Sequence, residues 1–97
     1  MVARKGSLKP MDAWEETIRE NAVGYTVIGF VPRKGTREMQ TFDTMAPAKN
    51  YAKEIIMQSN EFRCVMVYAI DSDNHHALVA TVNQYDKEIK LVSPERY

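Results

Sequence analysis

The stretch Phe62-Arg63-Cys64-Val65-Met66-Val67-Tyr68-Ala69-Ile70, followed by His76-Ala77-Leu78-Val79-Ala80-Thr81-Val82, decides the fold of this chain. Both runs are rich in β-branched, aromatic and other apolar side chains. Between them stand Asp71-Ser72-Asp73-Asn74, residues that favour turns. The pattern predicts a β-hairpin in the middle of a sheet. In its first strand one face reads Phe62, Cys64, Met66, Tyr68 and Ile70, and the other Arg63, Val65, Val67 and Ala69. Both faces are largely apolar, and the second strand also lacks a clean polar side. Such strands are covered on both faces or turn one of them to a partner.

Upstream of the hairpin, Ala48, Tyr51, Ala52, Ile55 and Ser59 recur at helical spacing, opposite Lys49, Asn50, Lys53 and Glu54. They predict a helix capped by Asp43 or Thr44, with Pro47 in its first turn, Ile56 widening the apolar stripe and Asn60 as a left-handed exit residue. Before it, Tyr25 to Val31 reads as a strand stopped by Pro32. After the turn Arg33-Lys34-Gly35, Thr36 to Phe42 returns as a more polar edge strand. A first helix over 12–21 follows from Asp12 and Glu15 as a capping box and from Trp14 and Ile18 one turn apart, with Glu15, Glu16, Arg19 and Glu20 on its polar side. Downstream, Ile89 and Leu91 alternate with charged residues and suggest a short last strand.

These elements predict an α+β domain: a two-layer sandwich with an antiparallel or mixed sheet of four or five strands, the order α-β-β-α-β-β(-β), and one main helix packed on a face. Residues 1–9, with three basic side chains and no apolar period, read as a flexible arm, residues 10–92 as the single domain and 93–97 as a loose tail. Ninety-seven residues hold one core.

Thirteen Lys and Arg balance thirteen Asp and Glu. That balance argues against a dedicated binder of phosphate backbones and removes a barrier to self-association. The lone Cys64 excludes an internal disulfide or thiolate cage, and the run 64–70 is too short to span a bilayer. The reading is a cytoplasmic protein with no membrane partner.

Chemistry-bearing residues are sparse. Asp71, Asp73, His75 and His76 are ligand-type side chains, but adjacent histidines on a strand point apart and the acidic spacing does not match a calcium loop. Cys64 lies in an apolar run, where a thiol behaves as a small hydrophobe. No phosphate-binding glycine loop or nucleophile elbow is present. No enzyme, metal or cofactor is expected. The densest basic stretch holds Arg33, Lys34 and Arg37, which Arg4 and Lys5 of the arm could join on a nucleic-acid backbone.

The expected function is therefore a small non-enzymatic protein-interaction module, an adaptor, inhibitor or regulatory subunit. Its partner is another protein or a second copy in a homodimer, met through an apolar sheet face or edge, with Trp14, Tyr25, Phe30 and Met57 as anchors. A nucleic-acid-binding protein using the basic hairpin tip and arm is the alternative.

Overall fold

The computed structural model describes residues 10–92, with side chains from residue 13 onward; the arm 1–9, including Arg4 and Lys5, and the tail 93–97 lie outside the described residues. The elements run α1 (Pro10–Glu20), β1 (Gly24–Val31), β2 (Gly35–Phe42), α2 (Met45–Gln58), β3 (Cys64–Ile70), β4 (His76–Asn83) and β5 (Ile89–Leu91). The five strands form one antiparallel sheet in the order β2-β1-β3-β4-β5. The chain is thus α+β, with β3 central and the polar β2 at an edge.

Local chemistry explains each joint. Pro32 follows the last residue of β1, and the β1–β2 turn places Arg33 (φ 72°) and Gly35 (φ 93°) in the left-handed region. Between β3 and β4, Asp71 Oδ1 accepts the N–H groups of Asp73 (3.0 Å) and His75 (2.8 Å), and Asn74 (φ 66°) takes the left-handed position.

Several expected boundaries differ. The first helix already runs at Pro10, so Asp12 lies inside it and is not its cap; Pro10 supplies the fixed φ that suits a helix start. Thr44 occupies the N-cap position of α2 without a side-chain hydrogen bond. At the other end Ser59 leaves in an extended conformation, with its N–H donating to Ile55 O (3.1 Å), so Asn60 is not a left-handed exit.

The core lies on one face of the sheet. Paired strand residues share a face, so Val27, Val67 and Ala80 form one row and Gly29, Val65 and Val82 the next. Ala48, Ala52 and Ile56 of α2 are buried against this face, with Tyr51 and Ile55 half-buried at its margin. Small alanines bring the helix close to the sheet. Ile56, which the stripe at 48, 52 and 55 treats as an addition, is fully buried and larger than either alanine. Gly29 has the ring of Phe62 directly over it, and a Cβ there would stand 2.5 Å from Phe62 Cδ1.

α1 packs against β4 and β3. Ile18 is 1% exposed, whereas Trp14 remains 46% exposed, with its ring edge-on to His75 at 5.2 Å. Arg19, on the expected polar side of this helix, is also inward. Its side chain is 7% exposed, donates from Nε to Leu78 O (2.8 Å) and is flanked by Glu15 and Glu16. The reason lies in the sheet: β5 pairs only with Ala80 to Val82, so the neighbouring carbonyl of β4 needs a donor from elsewhere.

Candidate functional site

The face of the sheet turned away from α2 carries a set of half-buried, largely apolar side chains. On β3 it carries Cys64, Met66, Tyr68 and Ile70, all half-buried, while Val65, Val67 and Ala69 on the helix side are fully buried. β1 adds Thr26, Ile28 and Phe30, and β4 adds Leu78 and Thr81. On β3 burial assigns the helical cover to one side, since none of its side chains on the other face is buried; on that face Thr26 of β1, beside Tyr68, is buried. Size separates the faces as well. On β3 and β4 valines and alanines stand beneath the helix, joined there by Tyr25, Met39 and Phe42 from β1 and β2; the open face bears Met66, Tyr68, Ile70, Leu78, Ile28 and Phe30.

A contiguous patch of this kind is a feature of interaction sites. Its central strands bear no Asp, Glu, Lys or Arg, and His76 of β4 stands at its end, paired with Ile70. The edge strands carry such charges: the register carries one row from Glu38 on β2 through Ile28, Met66 and Thr81 to Lys90 on β5. Tyr68 donates its hydroxyl towards Met66 Sδ at 3.7 Å, and its ring meets His76 edge-on at 6.4 Å.

The edges themselves are guarded. A bulge between Val27 and Ile28 breaks the β1–β2 register, β2 carries Arg37 and Glu38, and Arg19 closes the Leu78 carbonyl on the far side. Charges, bulges and covers of this sort oppose strand addition.

The expected anchors do not gather in one place. Phe30 stands on the open face beside Cys64, whereas Tyr25 pairs with Phe42 and Ala69 on the helix side. Met57 is 58% exposed on the outer side of α2, and Trp14 sits at the β3–β4 turn with His75. Met66, Tyr68, Ile70 and Leu78 share the face that holds Phe30, and hydropathy alone does not separate it from the buried side of the same strands. The usable signal was side-chain volume.

At the basic tip, Arg33 and Lys34 are exposed in the turn. Arg37 is committed elsewhere: it holds Glu61 through two hydrogen bonds (3.0 and 3.3 Å) and lies over the Phe62 ring at 5.4 Å. The tip alone is a small electrostatic footprint.

The ligand-type atoms of Asp71, Asp73 and His75 lie within 4.8 Å of one another. Both oxygens of Asp71 already hold the turn, Oδ1 by two backbone N–H groups and Oδ2 at 3.2 Å from His75 Nδ1. His76 Nδ1 faces Asn74 O at 3.1 Å, so the two histidines have separate surroundings. The His75 N–H, opposed by partial desolvation and helped by the imidazole, holds the Asp71 carboxyl below its usual range. Burial pushes the Cys64 thiol up, against the pull of Arg63, which disfavours the thiolate a nucleophile needs.

These directions set a pH response. A carboxyl depressed on folding stabilises the fold above its unfolded pKa and loses that contribution as pH falls through its folded value. Asp86, held low chiefly by Lys90, acts in the same direction, and Lys90, raised by Asp86, adds a contribution lost as pH rises through its folded value. Thermal melting should therefore fall between about pH 5 and about pH 2. Asp71→Asn should flatten that acid limb; an unchanged slope in this variant would show that the turn carboxylate is not linked to folding.

Among the described residues no helix is long and apolar enough to cross a membrane. No protein-family model, curated protein or solved structure matches this chain.

Proposed function

We propose that this chain is a small non-enzymatic protein-interaction module whose recognition surface is the open face of its sheet. One observation carries the reading: β1, β3 and β4 present large apolar side chains on the side that the helical core does not use. Such side chains are interchangeable with smaller or more polar ones if they only face water. Placed together, they offer a partner a rigid apolar platform, and rigid strands lose little entropy on docking.

The chemistry of the titratable groups supports a binding role. Among the described residues Asp71, Asp73 and His75 cluster in a hydrogen-bonded turn, and burial disfavours ionisation of Cys64. Nucleic-acid binding has weaker support, because Arg37 is engaged with Glu61 and the net charge is zero. The partner surface is instead expected to be apolar at its centre and polar at its rim.

A photo-crosslinker placed at Met66 in the full chain, expressed in its native host, tests this. It should yield a protein adduct, whereas the same group at Glu54, exposed on α2, should yield little. Equal labelling at both positions, or none at Met66, would remove the open face as the recognition surface.

A further inference from the structure

We infer that the occupant of the open face is a second copy of this chain, laid face to face about a two-fold axis that runs along β3. The inference rests on the reading of this face as the recognition surface and adds the partner and its register.

Size selects a partner as broad as the sheet. Four strands about 4.8 Å apart and roughly 23–26 Å long, with the three-residue β5 beside them, give a face of roughly 500 Å² in projection. A stable interface buries about 800 Å² of accessible surface per partner. The whole face, with the side chains standing on it, is needed to approach that value. A single peptide strand or helix would leave most of the apolar platform in water. A second sheet of the same outline covers it, and two sheets packed about 10 Å apart with nearly aligned strands form a familiar interior.

Charge selects the orientation. Glu38 and Lys90 end the same row of the open face, on opposite edges, with Ile28, Met66 and Thr81 between them. A two-fold axis along β3 exchanges the edges, so each Glu38 meets the Lys90 of the other copy. An in-plane axis along the row itself would set Glu38 against Glu38 and Lys90 against Lys90. Lys90 also holds Asp86 at 2.5 Å, but an ammonium has three donors and its side chain is 55% exposed. Zero net charge adds no repulsion between the copies. Along the axis Met66, Tyr68 and Ile70 meet their own counterparts, and such apolar contacts are self-complementary.

Sedimentation of the full chain over a wide concentration range is the primary test, and a dimer is expected. Met66→Glu, at the centre of the face, should give a folded monomer, with folding checked by melting. Glu38→Lys should weaken the dimer about tenfold, since two attractive contacts become repulsive, and adding Lys90→Glu should restore most of the loss. Unmodified protein supplies a further readout: alkylation of Cys64 should slow as concentration rises and the dimer covers it. A chain that sediments as a monomer throughout, with Cys64 labelling independent of concentration, overturns the inference. In that case a Met66 adduct containing a different protein leaves the functional reading standing, whereas no adduct removes both. A dimer lost in Met66→Glu but indifferent to Glu38→Lys overturns the register.

Discussion

Gly29→Ala is expected to destabilise the fold by about 1–3 kcal/mol, the range for a methyl forced into a packed core. The expectation runs against local propensity. Gly29 lies inside β1 with no left-handed backbone requirement, and at such a site alanine would ordinarily add about 0.4–1 kcal/mol by restricting the unfolded chain. Packing reverses the sign. The new Cβ would stand 2.5 Å from Phe62 Cδ1 and 2.6 Å from Cε1. Phe62 is 3% exposed, and Arg37, pinned by Glu61, lies over its ring at 5.4 Å, so the ring has little room to withdraw. Urea unfolding should show a lower midpoint at unchanged slope. Replacing Phe62 by Leu in the same chain should relieve the overlap, making the double variant less destabilised than the sum of the single changes. A Gly29→Ala protein as stable as the parent would mean that the ring does not lie over the strand.

The same glycine shows how far the sequence could be read. A glycine within an apolar strand signals close approach of another group, yet nothing in the chain names Phe62 as that group. The strands were legible because β-branched runs and the punctuation at Pro32 and 71–74 are local features. Helix faces were legible to within one residue, which is why Ile56 was placed at the margin of the stripe it anchors. The faces of β3 were not separable by hydropathy, since Cys64, Met66 and Tyr68 are as apolar as Val65, Val67 and Ala69. Only volume divides them: a helix bearing Ala48 and Ala52 packs closely on small side chains and leaves the large ones on the opposite side.

Tertiary polar contacts were the least legible. Arg19 looked like a solvated residue on a helix, because its partner is a backbone carbonyl exposed by the shortness of β5. Edge protection of this kind depends on strand order, which local pattern does not encode. The bulges at Val27/Ile28 and Val67/Tyr68 belong to the same class, since register is fixed by pairing across the sheet.

Gln84 is the clearest instance, and its replacement should be among the costliest polar changes in the chain. It occupies the turn after β4, where a polar residue attracts no notice. Its Nε2 donates to Ser59 O (2.8 Å) and Phe62 O (3.2 Å) and approaches Ile56 O (3.5 Å), while its Oε1 accepts from Lys87 Nζ (2.5 Å). One side chain thus ties the end of α2 and the lead-in to β3 to the far side of the hairpin. Gln84→Leu keeps much of the volume and removes the donors, leaving partly buried carbonyls unpaired at a cost of about 1–3 kcal/mol. At roughly 4–8 °C per kcal/mol for a domain of this size, melting should fall by roughly 10 °C. Gln84→Glu separates hydrogen bonding from packing. With Lys87 also replaced by Met, so that no ammonium faces Oε1, its carboxylate would meet the same carbonyls without a proton to donate, and its folded pKa should rise above the unfolded value. Such a group destabilises at neutral pH and recovers as pH falls through its folded pKa, where the protonated form donates again. On acidification, Gln84→Glu should therefore gain stability relative to Gln84→Leu when both are made in the Lys87→Met background. Parallel pH profiles for the two variants would mean that the donors of Gln84 do not hold the α2–β3 connection.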